Sequence, residues 1–279
     1  MIIAMFGLLI TVIIKIGGIS MLFSSLATID PALTNLFQNI DIWFVLYVLG
    51  WCAFGLGVVG QPHILTRPMA IKSVAALRRS RIIYFSWYTT FSMAALFVGL
   101  AARVLLPDLI TGDPELALPL LASEHLSSFF VGIILAGIFS ACISTADSQI
   151  LVCSSTLTHS FFNAFKNNLK FARLCTLLSL VLVVIFSIVA SKSVYALVIF
   201  SWSILSLVVA PFVIAQCFNV KFSVQLMLSI IIASFVLIYL WVINFNLSYT
   251  VNEVLPGFLI IAVLILLFRQ FSKIHVTTD

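Results

Sequence analysis

From end to end the chain repeats one pattern: an apolar stretch close to the ~20 residues that span a hydrocarbon core, followed by a short polar break. Eight such stretches can be drawn, at about residues 1–23, 43–62, 83–104, 127–156, 174–191, 194–216, 223–244 and 254–270. Backbone inside lipid must satisfy its own hydrogen bonds, which leaves helices and closed barrels as spanning structures. These stretches are continuous rather than alternating, so helices are expected and a membrane barrel is not. The chain is 63% hydrophobic and only 8% charged, where a soluble domain needs roughly a quarter charged residues. The expectation is an all-α integral membrane protein of about eight transmembrane helices, forming a single transmembrane domain over residues 1–279.

Charge supplies an orientation. Four alternate connecting segments hold eleven of the 14 Lys and Arg: Arg67, Lys72, Arg78, Arg79 and Arg81; then Lys166, Lys170 and Arg173; then Lys221; then Arg269 and Lys273. The opposite side keeps Lys15, Arg103 and Lys192 and gathers Asp30, Asp41, Asp108, Asp113, Glu115, Glu124 and Glu253. The excess of basic residues marks the cytoplasmic side of a membrane protein. Both termini are therefore expected in the cytoplasm of a multi-pass protein of the cell inner (plasma) membrane.

The pI near 9.1 is explained by those loops, and nucleic acid is not expected as a partner. Five cysteines (Cys52, Cys142, Cys153, Cys175 and Cys217) lie singly in or beside apolar runs, with neither the pairing of a disulfide framework nor the spacing of a metal site. The first run starts at Met1, and its uninterrupted part, "MIIAMFGLLITVII", is about 21 Å long as a helix. That is short for a ~30 Å core. A tilted first helix, or a chain that is the C-terminal part of a longer protein, would account for it. Lys15 is expected near an interface.

Two polar constellations interrupt the hydrocarbon character. The first is "GIFSACISTADSQILVCSS", residues 137–155. Ala141, Ser144, Thr145 and Ser148 follow i, i+3, i+4, i+7 and share one helical face, with Asp147 beside it. Hydroxyls and carbonyls in a dry site are hard oxygen ligands of the kind an alkali cation needs. The competing reading is that Ser and Thr hold helices together or bond back to the carbonyl four residues earlier. Asp147 argues for function, because an ionisable side chain in a membrane helix is expensive, although it lies toward the cytoplasmic end and a water-filled vestibule would also suit it.

The second is "AFGLGVVGQPHILTRPM", residues 53–69, where Gly55, Gly57 and Gly60 precede Gln61 and Pro62. Three missing Cβ atoms and one missing N–H weaken the helix. Such helices line substrate cavities in transporters, or they are tightly packed kinks. Both readings stand on the sequence. His63 reads as an interfacial histidine and Arg67 as a cytoplasmic anchor.

"GLGVVGQPHILTRPMA" together with "STADSQILVCSS" resembles the sodium/solute symporter family, and within it the sodium/proline symporters most closely. The resemblance implies part of an inverted-repeat (LeuT-like) transporter fold lacking its N-terminal helices, of which about five would lie upstream. It implies a sodium-coupled symporter that imports a small organic solute, proline or a related amino acid, with sodium as coupling ion, no other cofactor and no covalent chemistry, hence no enzyme. By the same resemblance Ala141 (through its carbonyl), Ser144 and Thr145 take the places of sodium ligands. Phe54, Gly57, Val58 and Pro62 line the substrate cavity, and Gln61, Asp147 and Ser148 are candidates for polar support. Two departures stand out: the proline symporters carry a Trp and a Tyr at the positions of Phe54 and Val58, and "SWSILSLVVAP" is bulkier than the family's glycine-rich helix there.

The expected partners are the solute, sodium, membrane lipid and a complementary N-terminal transporter half. Taken alone, eight helices would hold about half of each site, so the isolated chain is expected not to transport. The alternative of a different class is a non-transporting membrane fragment that associates with a separately encoded N-terminal half, or serves as a binding module.

Overall fold

The computed structural model describes residues 2–35, 37, 40–110, 112–161, 168–189, 193–220 and 222–272. Lys166, Lys192, Lys221, Lys273 and Asp279, which entered the charge pattern, lie outside the described residues. Among the described residues every regular element is helical: α1 (Ile2–Ile16), α2 (Ile19–Ile29), α3 (Ile42–Gly57), α4 (Pro62–Met69), α5 (Val74–Leu105) and α6 (Ala117–His125) in the first half. In the second half come α7 (Ser128–Thr156), α8 (Leu169–Val189), α9 (Val194–Val208), α10 (Ala210–Cys217), α11 (Val224–Ile238) and α12 (Val254–Ser272). Five of the helical spans described are long and apolar enough to cross a membrane, or seven if each of two bent pairs counts as one span. The apolar part of α12, Val254–Leu267, is shorter than the rest.

The bends have identifiable causes. The run drawn from sequence as one span at 1–23 breaks between α1 and α2 with a bend of 71°. Gly17 and Gly18 both have positive φ, at 98° and 105°. The Gly17 amide donates to the Ile14 carbonyl and the Gly18 amide to Ile13. This is the Schellman arrangement, which closes a helix at low cost when glycine supplies the left-handed residue. The second bent pair, α9 and α10, turns by 40°. Pro211 has no N–H to offer the Leu207 carbonyl one turn earlier. The Ser234 hydroxyl of α11, 2.7 Å from its own Ile230 carbonyl, also lies 3.3 Å from that freed carbonyl, so the two carbonyls share its single proton.

The chain divides into two compact units. The first comprises Met1–Gln38 and Ile71–Val189, and its core comes from α1, α2, α5, α6 and α7. Met5, Leu8 and Val12 of α1, Leu22 and Leu26 of α2, and Ala94, Val98, Ala101 and Ala102 of α5 are buried at helical spacing. The alanines on α5 let neighbouring backbones approach, which is how membrane helices gain van der Waals contact where no hydrophobic force drives them together. The segment expected to be a plain outer loop, between α5 and α7, contains α6, whose Leu121 and Ala122 join this core.

The second unit comprises Asn39–Ala70 and Ala190–Asp279. Here Ala53 and Phe54 of α3, Leu207 of α9, Leu226, Ile230, Leu237 and Ile238 of α11, and Val254 and Ile261 of α12 form the core. Glycine sets the closest approaches. A Cβ on Gly50 would lie 2.9 Å from the Asn252 amide, and one on Gly257 would lie 2.3 Å from a Leu207 methyl.

Candidate functional site

The first candidate lies on α7, an uninterrupted helix that passes into a π-turn at Leu157–Phe161. Its polar run is held within the helix by hydroxyls that bond back to carbonyls. Thr145 Oγ1 donates to the Ala141 carbonyl at 3.0 Å and Ser144 Oγ donates to the same carbonyl at 3.3 Å. Ser148 Oγ then donates to the Thr145 carbonyl at 2.9 Å. These bonds are the back-bonding that sequence reasoning weighed as the ordinary role of Ser and Thr. They also gather three oxygens, Ala141 O, Ser144 Oγ and Thr145 Oγ1, into one small cluster.

Each hydroxyl in that cluster uses its proton toward Ala141 and keeps lone pairs to offer a cation. Ser144, Thr145 and Asp147 are exposed on the helix, while Ala141 and Ser148 are half-buried. All three clustered oxygens lie within about one turn of α7. Sodium, a hard cation, takes oxygens of this kind.

The second candidate lies where α3 ends. The α-helix stops at Gly57, a 3₁₀ turn runs over Val58–Gly60, and Gln61 is extended (φ −85°, ψ 108°) before Pro62 opens α4. Pro at the first helical position costs nothing there, because its missing N–H would have been orphaned in any case. The break is the weakened helix expected from Gly55, Gly57, Gly60 and Pro62. Of the glycines, Gly57 and Gly60 are needed for approach: Cβ atoms on them would stand 2.4 Å from the Ser206 side chain and 2.5 Å from the Leu205 carbonyl. Gly55 faces open space.

Around the break the side chains divide clearly. Phe54 is buried and stacks on Trp202 of α9, with ring centroids 6.1 Å apart and planes 18° from parallel. Gln61 is fully buried; its Nε2 donates to the Trp202 carbonyl at 3.2 Å, while its Oε1 has no partner. Val58 and Pro62 are half-buried. His63, one residue on, is held below its ordinary value of 6.5, first by burial and second by the Arg67 guanidinium.

Sequence reasoning missed the polar interior nearby. Ser203 and Ser206 of α9, Asn252 and Glu253 are all within 2% of full burial. The Ser203 hydroxyl donates to Glu253 Oε1, and Glu253 Oε2 has no partner. Asn252 Oδ1 accepts from the Val254 amide at 3.0 Å and so caps α12. Glu253, a loop acid in the charge pattern, is buried instead, and the i, i+3 pair Ser203 and Ser206 inside an apolar run is the sequence's signal of a polar interior there. In the first unit, Lys15 Nζ donates to His125 Nδ1 at 3.2 Å, so the lysine of the first span finds its partner at the end of α6.

Comparison with known proteins sets these features in context. Residues 1–233 match the sodium:solute symporter family. The chain belongs to that family. As a symporter-family chain with several apolar helices it is a multi-pass membrane protein. It is 27% identical over 197 residues to the osmoregulated proline transporter OpuE of Bacillus subtilis, covering 67% of this chain and 39% of that protein. It is 33% identical over 172 residues to sodium/proline symporter 2 of Staphylococcus saprophyticus, covering 61% and 33% respectively. A sodium/proline symporter of Staphylococcus aureus is 33% identical over 150 residues, covering 53% and 29%. The matched stretch thus spans about a third of the length of these relatives. No solved structure gives a significant match.

Proposed function

We propose that this chain serves sodium-coupled import of a small organic solute, proline or a related amino acid, across the plasma membrane. Membership of the sodium:solute symporter family over residues 1–233 carries the reading, and the printed names of its relatives suggest the solute. In this reading residues 1–279 form a single domain of eight spans with both termini cytoplasmic, one part of a sodium/solute symporter built on the inverted-repeat architecture. Sodium binds at Ala141 O, Ser144 Oγ and Thr145 Oγ1, with Asp147 and Ser148 as polar support along the same helix. Phe54, Gly57, Val58 and Pro62 line the solute path, and the spare acceptor of Gln61 orients the solute.

The chemistry asked of these residues is selective and reversible binding. Hydroxyl and carbonyl oxygens replace part of the hydration shell of sodium without a fixed negative charge, so the ion can leave again when its gradient falls. The solute binds at the broken end of α3, as substrates do at interrupted helices in transporters. No bond is made or broken, and sodium and solute are both cargo.

The test is uptake of radiolabelled proline by cells that lack proline carriers and express this chain, with and without a sodium gradient. Sodium-stimulated uptake that needs more sodium in both Ser144→Ala and Thr145→Ala supports the reading. Uptake indifferent to sodium, or to both substitutions, overturns the coupling site. Sodium-stimulated uptake of another solute in competition assays overturns proline alone.

A further inference from the structure

The first unit carries an apolar groove of about 460 Å³ between α1 and α5, lined by Ile2 and Phe6 on one wall and by Ile82, Ile83, Ser86, Trp87, Thr90 and Phe91 on the other. The α5 wall consists of two ridges at i, i+4 spacing: 82, 86, 90 and 83, 87, 91. Continued one turn toward the helix start, the same two ridges reach Arg78 and Arg79. By helical spacing a pair of guanidinium-bearing positions thus lies one turn beyond the residues that line the groove, with Lys72 and Arg81 close by in sequence. All four of these cations are exposed.

The groove is lined mainly by apolar side chains. Its threonine is satisfied internally, since Thr90 Oγ1 donates to the Ser86 carbonyl at 2.7 Å. Trp87 stacks on Phe91 at 5.5 Å and 11° to make a flat aromatic wall. Helix length sets the depth: α5 has 32 residues and is about 48 Å long at 1.5 Å per residue. A hydrocarbon core is only ~30 Å thick, so one end of α5 must leave it. The basic first turns are the end that does so at least cost, which brings Arg78 and Arg79 to headgroup level and the groove to acyl-chain level.

We propose that this groove is a binding site for one anionic phospholipid, its phosphate held by Arg78 and Arg79 and one acyl chain lying along Ile82–Phe91 against Ile2 and Phe6. Charge and shape select the occupant together. A zwitterionic lipid fits the groove but gains less from two cations, and a soluble anion gains the cations but not the groove. The site stands on the chain being a membrane protein and does not depend on which solute it carries.

The experiment reconstitutes the full chain in phosphatidylcholine vesicles containing trace phosphatidylglycerol or phosphatidylcholine with brominated acyl chains, and reads quenching of the Trp87 signal, defined by difference from Trp87→Phe. The expected result is quenching by the brominated anionic lipid at about thirtyfold lower mole fraction than by the zwitterionic one, from roughly 1 kcal/mol for each of the two basic residues. Arg78→Gln with Arg79→Gln abolishes that preference, and the Lys pair retains most of it. Equal quenching by both lipids, or a preference untouched by the Gln pair, overturns the site. Absence of quenching by either lipid means that another protein segment fills the groove, and overturns it too. Each outcome is read without transport activity, so it is separable from failure of the proposed carrier function.

Discussion

Ser203 on α9 donates its hydroxyl to the carboxyl of Glu253 at the head of α12, with both side chains essentially excluded from solvent. The helices packed against α12, namely α3, α9 and α11, contain no Lys, Arg, His, Asp or Glu. The Ser203 hydroxyl is therefore the polar partner on which Glu253 Oε1 depends. Removing one member of a buried hydrogen bond leaves the other desolvated and unpaired. Ser203→Ala should lower stability by ~1–3 kcal/mol, and the double change with Glu253→Gln should recover part of it. Thermal unfolding of the purified protein in detergent checks this; additive losses would mean the two side chains act independently.

Gly57 and Gly55 are two residues apart on α3 and should respond in opposite ways. A Cβ at Gly57 meets Ser206 at 2.4 Å, so Gly57→Ala should cost ~1–3 kcal/mol through overpacking, and Ser206→Gly should relieve it. A Cβ at Gly55 meets nothing. Gly55→Ala should be neutral or stabilising by up to ~1 kcal/mol, because alanine loses less entropy in a helix. Melting temperatures of the three variants and the double variant decide it.

On α7 the hydroxyl of Thr145 should matter through its oxygen. Thr145→Ala should raise the sodium concentration for half-maximal uptake about tenfold, the equivalent of ~1.4 kcal/mol, while Thr145→Ser stays near the parent. The hydroxyl's bond to Ala141 lies within one helix, so neither change should shift the melting temperature noticeably. Sodium titrations of uptake separate the two variants, and equal values for both would remove Thr145 from the sodium site.

His63 predicts a pH dependence with a definite sign. Burial and Arg67 hold its folded-state value below 6.5, so the unfolded chain takes up the proton first as pH falls. The stability tied to a neutral His63 is complete above 6.5, declines as pH drops below it, and levels off beneath the folded-state value. His63→Gln should remove this contribution. Arg67→Gln should shrink it by moving the folded-state value back toward 6.5. Unfolding curves on both sides of 6.5 test the sign, and a protein that gains stability on mild acidification through His63 would contradict it.

The strained turn at Gly17 offers a local test. With φ at 98°, a side chain is disfavoured there whatever the available space, and Gly17→Ala should cost ~1–2 kcal/mol. Loss of the Schellman closure should straighten the junction of α1 and α2. A distance measured between spin labels on exposed positions of the two helices should lengthen; an unchanged distance would show that packing, rather than the glycine pair, sets the bend.

Sequence alone determined that this is a helical membrane protein, because hydropathy over ~20 residues reports a local requirement: each spanning helix satisfies its own backbone. It likewise placed Ala141, Ser144, Thr145 and Ser148 on one face, since that face follows from helical spacing within a single segment. It located the weakened end of α3 through Gly57, Gly60 and Pro62, whose effects act on neighbouring residues. Tertiary structure decided what those features meet. Gly57 against Ser206, Phe54 on Trp202, Ser234 on the carbonyl that Pro211 frees, and Glu253 drawn from an expected loop to a buried bond with Ser203 all join residues tens to more than a hundred positions apart. Such pairings leave no periodic trace in the chain, because van der Waals fit and hydrogen-bond geometry between helices depend on which faces come together.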